Sequence, residues 1–254
     1  MRPYDTNGVH VKQFLNDPTG EAWVAKSGAL NEVSLPTHTL AVERGRRAAF
    51  PLNEALASLI YSQAGIRTNE VGLGFRTMFV RPTGIWEPLL TSFHRMEHGR
   101  LRDQLGTFLR SEDYIVDVFC MAIVDVIIGQ RDHKWHNFMV TPDGRLFLFD
   151  NSDCLHEDQL REPPDFNQFE EARMFEPERP PWTDSIRAAV IARVSAITPE
   201  FISSAFAAIP DEFRRAHDAC LDGRPYVAAS MFHKQEWMKA NLGTFRRWAS
   251  TMTR

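Results

Sequence analysis

The sequence has little cysteine and no long apolar segment. Its three cysteines, Cys120, Cys154 and Cys220, are odd in number and far apart, which is typical of free thiols in a reducing compartment. No run of about 18 apolar residues occurs, so we expect no transmembrane helix. The N-terminal MRPYDTNGVH also lacks the apolar core of a signal peptide. We therefore expect a cytoplasmic protein without stable membrane insertion, and secretion as an effector by another signal stays open.

The chain also lacks an excess of positive charge. Its 29 Lys and Arg residues are outnumbered by 33 Asp and Glu residues, and the net charge is −4. We therefore expect no nucleic-acid partner on the basis of bulk electrostatics. With 254 residues, 43 % hydrophobic and 24 % charged, the chain can form one large domain or two small lobes that share a cleft. Nothing in the sequence specifies an oligomeric state.

A β-hairpin is predicted near the middle of the chain. Its arms are Asn137–Val140 and Arg145–Phe149, and its turn is Thr141-Pro142-Asp143-Gly144. An Asp-Gly pair between two apolar, β-prone runs favours a tight hairpin. Because such a hairpin brings its two ends together, we expect Asn137 to lie beside Asp150.

The hairpin belongs to a stretch whose side chains suit metal and phosphate chemistry, GQRDHKWHNFMVTPDGRLFLFDNSD from Gly129 to Asp153. Asp132 precedes Asn137 by five positions, and Asp150 follows the second arm. A carboxamide beside a carboxylate, with a second carboxylate one short loop away, could hold Mg²⁺ on a nucleotide and orient a hydroxyl group. Taken singly, these residues also suit ordinary Asx turns at loop and strand ends.

Two strands are predicted before this stretch, at Val9–Phe14 and Glu21–Lys26, with the turn at Asn16–Gly20. The second strand ends in Lys26 after the apolar residues Trp23-Val24-Ala25. A lysine at this position is usually solvent-exposed.

A helix is predicted at Pro51–Ala64, because its apolar residues recur at spacings of three and four. Gly65 suits its C-terminal end, and Glu54 falls in its first turn, where the helix dipole favours a surface glutamate. Strands at Ile66–Met78 and Ile85–Phe93 are expected to follow.

The second part of the sequence is predicted to be mostly helical. His94–Arg110 is polar and tolerates a helix, and Ser111–Ile128 is a buried helix with Ser111 as its N-cap and Gly129 at its end. Prolines prevent long helices from His156 to Trp182. The remaining helices are predicted at Asp184–Ser195, Pro199–Ala208, Asp211–Leu221 and Ser230–Trp248, with Thr183 or Asp184 and Thr198 as N-caps.

Three of these segments carry a family resemblance. The segment RDHKWHN, from Arg131 to Asn137, resembles the catalytic loop of protein kinases and their atypical relatives. Phe149-Asp150-Asn151 resembles the metal-binding Asp-Asn of HipA-type and phosphatidylinositol 3-/4-kinase-like enzymes. The helix around Asn53–Ala57 is similar to the helix that follows the phosphate-binding lysine in the same group.

The resemblance implies an α+β, two-lobed protein-kinase-like fold. Residues 1–95 would be a small β-rich N-lobe with one main helix, and residues 96–254 a mostly helical C-lobe. The implied activity is that of a small atypical, HipA-like serine/threonine protein kinase that uses ATP and Mg²⁺ and has a protein substrate. In that case Lys26 contacts the phosphates and is held by Glu54, Asn137 and Asp150 hold Mg²⁺, and Asp132 accepts or orients the proton of the acceptor hydroxyl.

The sequence departs from the family mainly where the phosphates would be covered. No Gly-x-Gly-x-x-Gly is present, so Gly8 or Gly28 would have to supply the backbone amides. Glu43 is a rival of Glu54 as the partner of Lys26. Three other functions stay open: transfer of AMP on the same fold, a lipid acceptor, and a pseudokinase that serves as a nucleotide-binding or interaction module.

Overall fold

The computed structural model describes eight stretches of the chain: residues 10–30, 49–80, 85–95, 100–101, 111–130, 137–155, 182–219 and 230–252. Gly8, Glu43 and Asp132 lie outside the described residues, as does almost all of the proline-rich stretch predicted from His156 to Trp182. The roles expected of these residues therefore stay predictions.

The N-terminal part is built on an antiparallel sheet of four strands in the order β1-β2-β5-β4. The strands are β1 (His10–Asn16), β2 (Ala22–Leu30), β4 (Val71–Val80) and β5 (Ile85–Arg95). The predicted turn between β1 and β2 is confirmed, because Oδ1 of Asp17 accepts from the backbone amides of Thr19 and Glu21 at 2.8 and 3.0 Å.

One helix, α1 (Phe50–Gln63), packs against strands β2, β4 and β5 of this sheet. Its apolar positions Leu52, Leu56 and Ile60 are fully buried, as their spacing predicts. Gly65 adopts a φ of 72° just after the helix, a conformation that glycine takes without steric cost. The predicted helix and its end are therefore confirmed.

The prediction of one strand at Ile66–Met78 is wrong in one respect. This segment contains parts of two strands, which belong to two different sheets. The short β3 (Arg67–Thr68) pairs in parallel with β8 (Leu146–Leu148), whereas β4 pairs with β5. The second sheet has the order β3-β8-β7-β6, with β6 at Arg100–Leu101 and β7 at Phe138–Val140. The helix-tolerant segment expected from His94 is also wrong at its start, where β5 continues through Arg95.

The second helix, α2 (Glu112–Ile128), is the central element of the C-terminal part. The Ser111 hydroxyl accepts from the backbone amide of Tyr114 at 3.2 Å, and Gly129 follows with a φ of 63°. Nearly every residue from Tyr114 onward is buried, as expected of a helix that is apolar on most faces. Both predicted ends are confirmed.

Four further helices complete the described C-terminal part. They are α3 (Asp184–Ser195), α4 (Pro199–Ala207), α5 (Asp211–Ala219) and α6 (Met231–Met252). Thr183 and Thr198 cap α3 and α4 as predicted. Helices α3 and α6 pack against α2. The chain is thus an α+β protein with a small β-rich N-terminal region and a mostly helical C-terminal part, as the sequence predicts.

Among the described residues, no single helix is long and apolar enough to cross a membrane. Helices α3 and α4, which meet at a 45° bend, reach such a length and apolar composition only when they are taken together.

Candidate active site

The amine of Lys26 is shared between two carboxylates that come from distant parts of the chain. Its Nζ lies 2.7 Å from Oε1 of Glu54 on α1 and 3.0 Å from Oδ1 of Asp150, which follows β8. Lys26 is 8 % exposed and Glu54 is 1 % exposed. The surface positions expected of isolated lysine and glutamate residues therefore do not apply, and Glu54 lies beyond the first turn of α1.

Strand pairing explains why these side chains meet. Lys26 on β2 is paired with Ser92 on β5, so both side chains point to the same face of the sheet. Helix α1 covers that face and carries Glu54. The Ser92 hydroxyl lies 3.4 Å from Oε2 of Glu54, and Nε2 of His94 lies 3.2 Å from the same oxygen.

The charges of Lys26 and Glu54 stabilise each other. Burial alone would lower the pKa of Lys26, but the carboxylates of Glu54 and Asp150 outweigh burial and raise that pKa above its ordinary value. Burial alone would raise the pKa of Glu54, but His94 and Lys26 hold it well below the usual range. Lys26 and Glu54 are thus a charged pair at neutral pH.

The predicted hairpin is confirmed, and its register places Asn137 opposite Phe149, the residue before Asp150. Phe138 is paired with Leu148, and one step further the amide of Phe149 donates to the backbone oxygen of Asn137 at 3.0 Å. At the other end of the hairpin, the amide of Gly144 donates to the Thr141 oxygen at 2.8 Å and closes the turn.

The hairpin is anchored to the helices through Arg145. Its Nε and Nη2 atoms both lie 2.7 Å from the carboxylate of Asp117, a fully buried residue of α2. Arg193 of α3 donates to the same carboxylate at 2.7 Å. Bidentate arginine–carboxylate pairs fix orientation as well as distance, so the hairpin has a defined position on α2.

Asp150 has a backbone conformation that few residues other than glycine adopt. Its φ is 62°, in the left-handed region where Asp and Asn are tolerated best. Strain of this kind is concentrated at functional sites. The Ser152 hydroxyl lies 3.4 Å from Oδ1 of Asp150, the oxygen that Lys26 also contacts.

Helix α1 also holds the segment that follows Asp150. The side-chain amide of Asn53, next to Glu54 in the chain, donates to the backbone oxygen of Cys154 at 2.7 Å. The amide of Asn151 lies 3.4 Å from the Ser58 hydroxyl. The same helix therefore contacts both the lysine strand and the segment that carries Asp150.

Of the six site residues predicted from the sequence, four are described. The structure places the amine of Lys26 in direct contact with Glu54 and with Asp150. The backbone oxygen of Asn137 accepts from the amide of Phe149, the residue before Asp150. Gly28 lies in β2, two positions after Lys26.

Sequence reasoning missed Ser92, His94 and Asn53. No motif marks Ser92 or His94, and Asn53 stands in the helix segment Asn53–Ala57 without a role of its own. The register of β5 against β2 and the packing of α1 reveal their place. The inward alternation of Ser92 and His94 on β5 was the one available signal.

The donor set at the hairpin suits a hard cation. Asp150 offers a carboxylate and Asn137 a carboxamide oxygen, and Mg²⁺ is usually bound by one or two carboxylates together with substrate phosphates. Within the described part of the chain, no group of three or more His, Cys, Asp and Glu residues could hold a metal on its own.

No protein-family model matches the chain, and no curated protein matches it. Among solved structures, the chain is similar to the Shewanella oneidensis MR-1 complex of the toxin–antitoxin system HipA, HipB and its operator DNA, with 11 % identity and a TM-score of 0.41. The match covers 98 % of this chain and 66 % of that one, so this chain spans less than two thirds of its length. A likeness this distant carries no weight for activity, substrate or partners, and it does not support the phosphatidylinositol-kinase side of the resemblance.

Proposed function

We propose that this chain is an ATP- and Mg²⁺-dependent phosphotransferase of the HipA-like type, with the alcohol group of a protein serine or threonine as the acceptor. The proposal includes a division into an N-lobe of residues 1–95 and a C-lobe of residues 96–254. The observation that carries it is the position of Lys26 Nζ, between Glu54 at 2.7 Å and Asp150 at 3.0 Å.

This arrangement supplies three of the groups that the proposed phosphoryl transfer would use. In protein kinases, a strand lysine is held by a helix glutamate near the aspartate that holds the metal, and catalysis is mostly positioning and electrostatic stabilisation. Lys26 is charged, buried and fixed by Glu54, so it can present a positive charge to phosphate oxygens without paying to reorganise.

The other residues complete the proposed roles. Asp150 and Asn137 hold Mg²⁺, which when bound neutralises negative charge on the phosphates. Asp132 accepts or orients the proton of the acceptor hydroxyl, and the amides around Gly8 or Gly28 cover the phosphates. A cytoplasmic location is part of the proposal and is supported by the free, buried thiols of Cys120 and Cys154. The net charge of −4 argues against binding nucleic acid through bulk electrostatics.

The direct test uses ATP labelled at the γ-phosphate, with the purified protein first and then with a lysate. Wild type is expected to label itself or a lysate protein, and Asp132→Ala is expected to abolish labelling while Mg·ATP binding persists. Mass spectrometry of the product separates addition of a phosphate from addition of an adenylate, and the latter would establish AMP transfer instead.

Binding of Mg·ATP in a thermal-shift assay is the companion measurement, because a ligand of the native state raises the unfolding temperature. A shift without any transfer would favour the pseudokinase alternative. The absence of a shift at millimolar Mg·ATP, together with no labelling, would overturn the proposed function.

A further inference from the structure

A buried lysine on the last helix is not part of the site described above. Lys234 of α6 is 3 % exposed. Its amine lies 2.7 Å from Oδ1 of Asn53 and 2.8 Å from Nε2 of His217. Among the described residues these are its two hydrogen-bond partners, and neither is a carboxylate.

The network is ordered by its charges. Nδ1 of His217 lies 2.8 Å from the carboxylate of Asp218, which places the ring proton on Nδ1 and leaves Nε2 to accept. Burial and the neighbouring charge of Lys234 lower the pKa of His217 to about 4, so the ring is neutral near pH 7. Burial lowers the pKa of Lys234 to about 8, and the amine still carries its proton at neutral pH. Lys234 is thus the donor to both partners.

The lysine dictates the orientation of the Asn53 side chain. An ammonium group can only donate, so the carboxamide oxygen of Asn53 must face Lys234. The NH₂ group of Asn53 is then directed at the backbone oxygen of Cys154, at 2.7 Å. Cys154 follows Asp150 by four positions, and Asn53 directly precedes Glu54.

We propose that Lys234 is a positioning residue for the site. Through Asn53 it fixes the segment from Asp150 to Cys154 against helix α1, and so holds Asp150 in register with the Lys26–Glu54 pair. An isolated buried ammonium costs stability unless it is fully hydrogen-bonded, and this cost is consistent with a residue kept for geometry. The kinetic part of this inference rests on the proposed function, and the structural part does not.

Three variants separate positioning from general stability. Lys234→Met keeps the length of the side chain and removes the donor. Asn53→Asp gives Lys234 a carboxylate partner but cannot donate to Cys154, so it breaks the link to the Asp150 segment while compensating the buried charge. Lys239→Met is the matched control, because Lys239 lies on the same helix and pairs with Glu236 at the surface.

The first measurement is hydrogen exchange without nucleotide. In Lys234→Met and Asn53→Asp, the amides from Asn151 to Leu155 are expected to exchange about tenfold faster or more, while amides in the centre of α4 keep their protection. The amide of Leu155, which donates to the Ile128 oxygen at 3.0 Å, is the best single reporter. Lys239→Met is expected to match wild type.

The second measurement is kinetic and is made at a temperature where all variants are folded. Both site-linked variants are expected to lose about 10- to 100-fold in kcat/KM for Mg·ATP, the range found when groups that orient metal ligands are removed. Asn53→Asp should show this loss even where its unfolding temperature equals that of wild type. A purely structural lysine would lower the unfolding temperature and leave kcat/KM unchanged.

The possible failures are distinguishable. Normal exchange from Asn151 to Leu155 in Lys234→Met would overturn the inference, as would faster exchange with unchanged kcat/KM in an active protein. If wild type neither binds Mg·ATP nor transfers phosphate, the proposed function fails, and localised exchange at Asn151 to Leu155 would still support the coupling of Lys234 to this segment.

Discussion

His94 Nε2 lies 3.2 Å from Oε2 of Glu54, on the oxygen opposite the one that contacts Lys26. The Glu54 carboxylate is therefore held at both ends, and its orientation is set before any ligand binds. Groups whose positions are fixed by a supporting shell are the ones that keep a site in productive geometry.

Replacing Glu54 by Gln is expected to destabilise the fold, because it removes the main negative partner of a buried lysine and leaves His94 without its carboxylate. Breaking one side of a buried ion pair costs about 3–5 kcal/mol, and the remaining contact of Lys26 with Asp150 puts the expected loss at the lower end. Urea unfolding at neutral pH measures it.

Glu70→Gln is the control for this experiment, because Glu70 is exposed and its ion pair with Arg95 is long at 3.9 Å. It should change the free energy of unfolding by less than about 0.5 kcal/mol. Equal stability of wild type and Glu54→Gln would show that the Lys26–Glu54 contact contributes nothing.

Two substitutions of Asp150 separate the role of its carboxylate from the strain in its backbone. Asn tolerates the left-handed conformation observed at φ 62°, whereas Ala does not, so Asp150→Ala should be less stable than Asp150→Asn by about 1 kcal/mol. Both variants should lose phosphoryl transfer and bind Mg·ATP more weakly, because both lose the carboxylate. Activity assays and urea unfolding of the pair provide the two readouts.

Asp143→Asn serves as the control for Asp150, because Asp143 pairs with Arg67 at the exposed tip of the hairpin. It should leave transfer unchanged. Full activity of Asp150→Asn would remove Asp150 from the proposed site.

Local signals in the sequence predict much of this structure. The Asp-Gly turn gives the hairpin and hence the backbone pairing of Asn137 with Phe149, and the caps Ser111, Thr183 and Thr198 give three helix starts. These features depend on residues that are close in sequence, so propensity and periodicity suffice to find them.

Features that depend on distant partners do not follow from local signals, and the contact of Lys26 with Glu54 is expected only from the family resemblance. Arg67 and Thr68 form a strand separate from β4, because β8, about 80 residues later in the chain, pairs with them in parallel. The inward position of His94 follows from the register of β5 on β2, and the burial of Lys234 follows from the packing of the last helix. Lysine and glutamate residues usually lie at the surface. Lys26 and Glu54 can be buried because each neutralises the charge of the other.

Asp117→Asn is expected to loosen the attachment of the hairpin to the helices. The carboxylate accepts from Arg145, Arg193 and the backbone amide of Leu146, and its loss leaves two arginines with a neutral partner. A destabilisation of about 3–5 kcal/mol is expected from breaking a buried ion-pair cluster. Chemical unfolding measures this loss.

Asp113→Asn is the control for Asp117, because Asp113 lies at the exposed start of the same helix. It should cost no more than about 0.5 kcal/mol through the helix dipole. If Asp117→Asn were as stable as Asp113→Asn, the buried cluster would not anchor the hairpin.

The stability of the fold should depend on His217 at mildly acidic pH. The pKa of His217 is about 4 in the folded protein, against an ordinary value of 6.5, so the unfolded chain binds a proton in the range where the folded protein does not. A depressed pKa contributes stability that is fully present above about pH 6.5 and is lost as the pH falls toward 4. Between about pH 6.5 and pH 4.5 this single group accounts for about 2 kcal/mol.

His217→Gln tests this dependence, because its carbonyl can accept from Lys234 and it does not titrate. Urea unfolding of both proteins at a series of pH values separates the contribution of His217 from that of the carboxylates, which both proteins share. The variant is expected to be no more stable than wild type at neutral pH but to lose about 2 kcal/mol less on acidification. Parallel pH profiles of the two proteins would show that the ring of His217 can take up a proton beside Lys234 without cost, contrary to the direction of its pKa.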